Sequence, residues 1–354
     1  MQQQPWEADY AMPTMADVAE RAGVSVATVS RALSGDRKRV SAGLLQRVLL
    51  AAEDLHYYPN NLARNMRFGS SRIFGLVISD IGNPFFTAVA RGAEDVAQRH
   101  GYSLVLANTD ESPEREASTL SAMAAERAAG VIVATTNESV EALRRLQSIG
   151  VPIVAVDRRI EGLPTDSVAV DNETAAYGAV THLVRLGHRR IAMVGGPHDA
   201  RTARERYLGY ERAFRDHRLD LEPELFREGN FREAAALVHT RALLDLAEPP
   251  TAIFSVNNLT TIGVVKALRE RGVRMPDQMS LVGFDDLPTA ELLDPPLTVV
   301  QQPTYQMGAQ AAELLVRRLD EPTATVEKVL LAGTLIVRGS TAAPPISATG
   351  GFHS

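Results

Sequence analysis

The apolar residues near the start of the chain recur at helical spacing in two short runs. Their members are Val18, Ala19 and Ala22 in the first run, and Val26, Val29, Ala32 and Leu33 in the second. Gly23 lies between the runs and suits a tight turn, because glycine adopts positive φ without steric cost. Ser25 can cap the second helix. Two short helices joined by a glycine turn predict a helix-turn-helix, whose second helix enters the major groove of DNA.

The polar residues of the second run decide between a DNA-binding unit and an ordinary helical hairpin, since both can show this spacing. Ser25, Thr28, Ser30 and Arg31 lie on or beside the face that the apolar stripe leaves exposed. Each of them can donate hydrogen bonds to phosphates or bases. The pattern therefore favours a DNA-binding unit.

A third helix is predicted from Ser41 to about Leu55, which lets three helices enclose one small core. Its inward-facing residues are expected to be Leu44, Leu45, Val48, Leu49 and Ala52. Pro59 cannot continue this helix and can begin another. A short helix at 60–67 is marginal alone, so we expect it to form as a linker that folds on DNA.

From Arg72 onward the pattern changes to apolar strands that alternate with helices. Strands are predicted at 73–79, 103–107, 130–134, 152–156, 190–194, 225–228, 252–255 and 280–284. Helices are predicted at 85–100, 114–129, 140–149, 174–186, 202–217, 232–246 and 260–271. Continuous apolar strands between helices indicate parallel sheets covered on both faces. The two sets predict two doubly wound subdomains with a crevice between them.

Ligands of such sheets bind beyond the carboxyl ends of the strands. Asp80, Asp157, Asn257 and Asp285 each lie at or just past a predicted strand end. These residues are candidates for a polar ligand site. Each of them, taken alone, is equally well explained as a turn-forming or capping residue.

Composition and charge agree with a DNA-binding unit followed by a separate domain. The chain has 354 residues and a formal net charge of −6. The stretch from Thr14 to Gly69 nevertheless has eight Lys or Arg residues against five acids, a formal charge of +3. A basic unit on an acidic body is typical of a DNA reader with a regulatory domain. The run Arg37-Lys38-Arg39 alone fits a solvated face as well as a phosphate contact.

Several classes of site and location are excluded by the sequence. There are no cysteines, hence no disulfides and no thiolate metal sites. No apolar run approaches the roughly 20 residues that span a bilayer, and the first residues do not resemble a secretory signal. We therefore expect a cytoplasmic protein that binds no membrane, no metal and no cofactor.

Several motifs, in this order along the chain, resemble those of one known family. They are DVAERAGVSVATVSRAL, YYPNNLAR, IGNPFF, RGAEDVAQRHGYSLVLANTD, LGHRRIAMVGGP, RTARERYLGY, VGFDD and DPPLTVVQQP. Together they resemble the lactose-repressor/galactose-repressor (LacI/GalR) family of bacterial transcription regulators, from Thr14 to about Gly339. The resemblance implies a homodimer that reads a near-palindromic operator. It also implies a core like that of periplasmic sugar-binding proteins, in which a sugar-like effector controls DNA affinity.

The resemblance assigns DNA contacts residue by residue. The DNA-binding residues that it implies are Thr14, Ser25, Val26, Ala27, Ser30, Arg31, Asn60 and Met66. Arg31 can pair with a guanine, while Val26 and Ala27 suit thymine methyl groups. Met66 stands where the family inserts a leucine into the minor groove, and it is apolar but more flexible.

The resemblance also assigns an effector pocket. Its implied residues are Asn83, Phe85, Phe86, Arg158, Arg204, Asn257, Asp285 and Gln302. Asp285 can accept hydrogen bonds from two hydroxyl groups, and an aromatic face can pack on a sugar ring. One of the two phenylalanines is expected in the core, and Arg206 and Arg159 are expected in structural ion pairs. Asn258 replaces an aspartate usual in the family, which suggests the hypothesis of an anionic effector.

The resemblance gives the following domain boundaries. We expect a disordered extension at 1–13, a helix-turn-helix domain at 14–58, a hinge helix at 59–70, a core at 71–340 and a flexible tail at 341–354. Within the core, the first subdomain is expected at about 71–168 and 300–326, and the second at about 169–299 and 327–340. The tail has no leucine heptads, so a dimer is expected rather than a tetramer.

Two other classes of function compete with a repressor of carbohydrate-related genes. A sugar-binding module for transport shares the core but needs a secretory signal and has no use for residues 14–69. An enzyme on a doubly wound fold is disfavoured because no phosphate loop is present and Gly195-Gly196-Pro197 is not a dinucleotide fingerprint.

Overall fold

The computed structural model describes residues 13–33, 40–57, 71–135 and 140–345. The chain divides into two compact units, residues 1–70 and 71–354. The predicted hinge helix at 59–70, with Asn60 and Met66, lies outside the described residues, as do the run Arg37-Lys38-Arg39, residues 1–12 and residues 346–354 of the tail.

The first unit contains the three predicted helices. They are α1 (Met15–Ala22), α2 (Val26–Leu33) and α3 (Ala42–Asp54). Thr14 begins α1 with a capping box, in which its hydroxyl and the Asp17 carboxylate bind each other's backbone N–H. Gly23 ends α1 at φ 61°, and Ser25 Oγ accepts a hydrogen bond of 3.2 Å from the Thr28 N–H. The glycine turn and the serine cap predicted from the sequence are therefore confirmed.

The core of this unit is small and built mainly from alanine and valine. Its buried members are Val18, Ala19, Ala22, Val29, Ala32, Val48, Ala51, Ala52 and Tyr57. The expectation that Leu49 faces inward is wrong, since this residue is 48% exposed. The short side chains of α1 and α2 cover only the stripe of α3 that holds Val48, Ala51 and Ala52, and Leu49 lies beside it. Val26 is also exposed rather than part of the buried stripe.

The second unit contains two sheets with helices between their strands. The strands of the first sheet are β1 (Ile73–Ile78), β2 (Ser103–Asn108), β3 (Gly130–Val133), β4 (Ile153–Val156), β5 (Asp166–Val170) and β11 (Lys328–Leu331). Those of the second are β6 (Ile191–Val194), β7 (Phe226–Arg227), β8 (Ala252–Ser255), β9 (Ser280–Phe284), β10 (Thr298–Gln301) and β12 (Thr334–Ile336). The helices are α4 (Pro84–Arg99), α5 (Pro113–Ala125), α6 (Val140–Ser148), α7 (Asn172–Arg185), α8 (Arg201–Asp216), α9 (Glu233–Leu244), α10 (Asn258–Glu270) and α11 (Thr304–Asp320).

The strand order is β11-β5-β4-β3-β1-β2 in the first sheet and β12-β10-β9-β8-β6-β7 in the second. All neighbouring strands are parallel except β10 and β12, which are antiparallel. Separate apolar cores lie on the faces of each sheet. A unit of three helices followed by two largely parallel α/β sheets is the fold class that the sequence predicted.

The chain crosses between the two sheets at three places, and the crossings differ from the expected boundaries. Strand β10, which ends at Gln301, pairs with β9 in the second sheet, although 300–326 was assigned to the first subdomain. Strand β11 pairs with β5 in the first sheet, although 327–340 was assigned to the second. Both strands are four residues long and lie next to a crossing, so their pattern gives no sign of which sheet they join.

Helices α4 and α11 cross closely on one face of the first sheet. A Cβ atom added to Gly92 would lie 2.0 Å from the carbonyl oxygen of Tyr305, and one added to Gly308 would lie 1.9 Å from that of Val89. Such distances are far inside van der Waals contact. Only hydrogen in place of a side chain allows the two backbones to approach this closely.

Candidate functional site

A cavity lies between the two sheets of the second unit. The carboxyl ends of strands from both sheets meet there, as expected for ligand sites of doubly wound folds. The polar residues that follow these ends and line the cavity are Asp80 after β1, Asp157 and Arg158 after β4, Asn257 after β8, Asp285 after β9 and Gln302 after β10. We refer to this cavity as the cleft.

The structure brings seven of the eight predicted effector residues together in the cleft. They are Asn83, Phe85, Phe86, Arg158, Asn257, Asp285 and Gln302. Asn83 and Asn257 begin α4 and α10 as N-caps, because their side-chain oxygens accept hydrogen bonds from Phe85 N–H and Thr260 N–H. Both phenylalanines, not one as expected, are buried in the first core, and both also line the cleft.

Arg204 is the predicted residue that does not line the cleft. Its side chain is 45% exposed, and its guanidinium lies 4.0 Å from the carboxylate of Glu161. Arg206 lines the cleft instead. Residues two positions apart on an α-helix point to nearly opposite sides of it. Arg206 lies one helical turn after Thr202, which also lines the cleft, whereas Arg204 faces away.

Arg206 is held rigidly at the floor of the cleft. Its Nε donates to Asn172 Oδ1 at 2.9 Å and its Nη1 donates to the carbonyl oxygen of Val256 at 2.5 Å. The guanidinium carbon lies 3.8 Å from the centroid of the Phe284 ring, a cation–π contact. Burial lowers the pKa of Arg206, and the nearby carboxylate of Asp285 opposes this effect.

Two buried carboxylates face this arginine. Burial raises the pKa of Asp157 to about 6, against the opposing effect of Arg158 and Arg206. Burial also raises the pKa of Asp285, and Arg206 and the Gln302 amide oppose that rise. Gln302 Nε2 donates to Asp285 Oδ1 at 2.5 Å. The cleft therefore holds acceptor groups that are poorly solvated and are stabilised by new hydrogen-bond donors.

Side chains of the two subdomains touch across the cleft. Arg232, before α9, forms an ion pair with Asp80, which follows β1. Asn258 Nδ2, at the start of α10, donates to Asn83 Oδ1 at 2.8 Å. These two contacts link the subdomains directly.

In the first unit, the start of α2 presents an exposed face. Ser25, Val26, Ala27 and Arg31 are exposed, while Ser30 is half-buried. Val26 is 47% exposed. Thr14 is exposed at the start of α1. An exposed helix N-terminus with hydroxyl, apolar and guanidinium groups matches a recognition helix.

Both units match models of known protein families. Residues 14–60 match the bacterial regulatory proteins of the lacI family, and residues 180–341 match a periplasmic binding protein-like domain. The ribose operon repressor of Halalkalibacterium halodurans is 36% identical over 331 residues, which cover 93% of this chain and 97% of that protein. This chain belongs to the lacI family of bacterial regulatory proteins. It is a DNA-binding transcriptional regulator and not an enzyme.

Two solved structures share the architecture of this lacI-family regulator. The lac repressor dimer bound to operator and the anti-inducer ONPF has a TM-score of 0.79 and 27% identity, over 94% of this chain and 99% of that chain. A lacI-family regulator from Enterococcus faecium with bound ribose has a TM-score of 0.70 and 28% identity, over 77% of this chain and 99% of that chain.

Two further residues of the cleft in this lacI-family regulator, Asp80 and Asp157, were predicted as ligand candidates because each follows a strand. The sequence analysis missed the other lining residues, which are Glu111, Thr202, Arg206, Phe231, Arg232 and Leu259. Glu111, Phe231 and Arg232 come from loops, and no periodic pattern places them in the cleft.

No described helix of this lacI-family regulator is both long and apolar enough to cross a membrane. Among the residues that the structure describes, no group of three or more His, Asp or Glu side chains is placed to hold a metal ion.

The raised pKa of Asp157 predicts a pH dependence of stability. Between its ordinary pKa of 3.8 and about 6, the folded state binds a proton that the unfolded state does not. Stability from this group therefore increases as pH falls through 6 and is lost as pH rises above it. From pH 7 to pH 5, we expect the free energy of unfolding to rise by about 1 kcal/mol more in the wild type than in Asp157→Asn. Urea denaturation at both pH values measures this difference, and an equal change in both proteins contradicts it.

Proposed function

We propose that this chain is a homodimeric repressor whose affinity for a near-palindromic operator is controlled by an uncharged monosaccharide of pentose size. The observation that carries the proposal is the chemistry of the cleft. Buried carboxylates and amides can accept and donate hydrogen bonds to sugar hydroxyls, and the rings of Phe85, Phe86 and Phe231 line the same cavity.

The balance of charge in the cleft favours an uncharged ligand. Four carboxylates and three guanidinium groups line it, a formal net charge of −1, from Asp80, Glu111, Asp157, Asp285, Arg158, Arg206 and Arg232. Arg158 and Arg232 are each ion-paired within the protein. The hypothesis of an anionic effector rested on Asn258, which is buried and binds Asn83 instead of lining the cavity.

The relatives support the pentose class. The relative from Halalkalibacterium halodurans is a ribose operon repressor, and the structure from Enterococcus faecium contains ribose.

Residue exposure on α2 supports the DNA contacts, with Arg31 as the base-reading cation and Ser25 as a phosphate ligand. The proposal of a dimer is supported by the similar lac repressor, whose structure is a dimer bound to its operator.

The test is fluorescence anisotropy of the full chain on palindromic DNA from its own promoter. We expect salt-sensitive binding that ribose changes and that cellobiose, cytidine and ribose 5-phosphate do not. In Arg31→Ala, operator binding should weaken by roughly 1–3 kcal/mol, while calorimetric binding of ribose stays unchanged. Response to a nucleoside, disaccharide or phosphorylated sugar instead of ribose would replace the proposed effector class, and the absence of specific DNA binding would remove the repressor function.

A further inference from the structure

We propose that Glu111 determines effector specificity by acting as a built-in anion that excludes phosphorylated and carboxylated sugars from the cleft. The inference rests on the proposed function, since it explains how the cleft selects an uncharged ligand. Glu111 lines the cleft on the segment that leads into α5. Neither the sequence pattern nor the family resemblance assigns it a role.

The first argument is the geometry of the pair that Glu111 forms with Arg158. Nη1 donates to Oε2 and Nη2 donates to Oε1, each at 2.6 Å. Two parallel charge-assisted bonds of this kind are how a guanidinium binds a carboxylate or a phosphate. Glu111 therefore occupies the position on Arg158 that an anionic group of a ligand would take.

The second argument is burial. The Arg158 side chain is 7% exposed, whereas that of Glu111 is 31% exposed. A buried guanidinium without a partner is unfavourable and would attract an anion strongly. Carboxylates of Glu111 and Asp157 outweigh burial and raise the pKa of Arg158. The arginine is thus held as a cation whose charge is already neutralised inside the protein.

The third argument is the backbone that carries Glu111. Asp110 and Glu111 both have positive φ, 52° and 59°, a conformation unfavourable for residues with side chains. Asn108 Nδ2 donates to Asp110 Oδ1 at 2.8 Å, and Arg115 forms an ion pair with the same carboxylate. The Glu111 N–H donates to the Ser79 carbonyl oxygen at 3.2 Å. The surrounding contacts thus hold two strained residues in the conformation that directs the carboxylate onto Arg158.

The test compares the full-length wild type, Glu111→Gln and the matched control Glu161→Gln. Glu161 is an exposed carboxylate that pairs with Arg201 and does not line the cleft. Thermal unfolding is measured with increasing inorganic phosphate against chloride at constant ionic strength. We expect the affinity for phosphate, read from the rise in Tm, to increase at least about tenfold in Glu111→Gln and to stay unchanged in Glu161→Gln. Adding Arg158→Met to Glu111→Gln should abolish the gain.

Calorimetry with ribose and ribose 5-phosphate separates this inference from the proposed function. If the wild type binds no ribose but Glu111→Gln gains phosphate affinity, the effector class is wrong and the role of Glu111 stands. If Glu111→Gln gains no phosphate affinity, or Glu161→Gln gains as much, Glu111 is not the excluding group. Glu111→Asp keeps the negative charge, so its affinity for phosphate should stay as low as that of the wild type. Should Glu111→Gln fail to fold, phosphate binding by a folded Glu111→Asp would overturn the inference.

Discussion

Asp285→Asn is expected to weaken ribose binding by about 100-fold, which corresponds to roughly 2.7 kcal/mol, while operator binding stays intact. The carboxylate is buried at the end of β9 and accepts a hydrogen bond from Gln302 Nε2. Hydrogen bonds to a charged acceptor contribute about 1.5–3 kcal/mol each, and the amide loses at least one of two acceptor positions. Asparagine tolerates the positive φ of 72° at this position, so the fold is preserved.

Calorimetry with ribose and anisotropy with operator DNA measure the two effects separately. Asp220→Asn is the matched control, because Asp220 is an exposed residue of the same subdomain. The control should bind both ligands as the wild type does. A loss of operator binding in Asp285→Asn, or an unchanged affinity for ribose, would contradict this role.

Gly308→Ala is expected to lower the free energy of unfolding of the second unit by about 3 kcal/mol, the upper part of the usual range for overpacking. The added methyl group would lie 1.9 Å from the Val89 carbonyl oxygen. Helices α4 and α11 would have to separate, which opens voids in the core that they share.

The same substitution at Gly178 is the control for Gly308→Ala. Gly178 lies within α7, and an added Cβ would meet no atom within 4 Å. There alanine should stabilise by up to about 1 kcal/mol, because it has the higher helix propensity. Urea denaturation of both variants measures the contrast. If both variants changed the free energy of unfolding equally and in the same direction, the close helix crossing would not explain the loss of stability.

The positions of strands could be predicted where the sequence has continuous apolar runs. The apolar strands β1, β3, β4, β6, β8 and β9 were predicted because they are continuous buried runs. Strands β5, β10, β11 and β12 were not predicted. Their pairing depends on crossings between sheets that join residues far apart in sequence, such as Lys328 and Ser167, and no local pattern encodes such pairs.

The site could be predicted where a polar residue follows a strand and not where a loop supplies it. Asp285 and Asn257 follow β9 and β8, so the fold class alone places them in the cleft. Glu111 depends on a strained loop, and its partner Arg158 is 47 residues away in the sequence. Arg206 was expected in a structural ion pair, but it donates hydrogen bonds to the Asn172 amide oxygen and the Val256 carbonyl oxygen and lines the cleft.

The two strands that complete the sheets have a consequence for how this protein is made. Strands β11 and β12 pair with β5 and β10, and both come from residues 328–336. A ribosome releases α1, α2 and α3 first, whereas β5 and β10 keep an open hydrogen-bonding edge until almost the whole chain has emerged. Unpaired edges of this kind invite aggregation during synthesis. A premature stop codon before residue 328 therefore yields a complete helix-turn-helix attached to two sheets with unpaired edge strands. We expect such a product to aggregate or be degraded rather than to act as a regulator that does not respond to the effector.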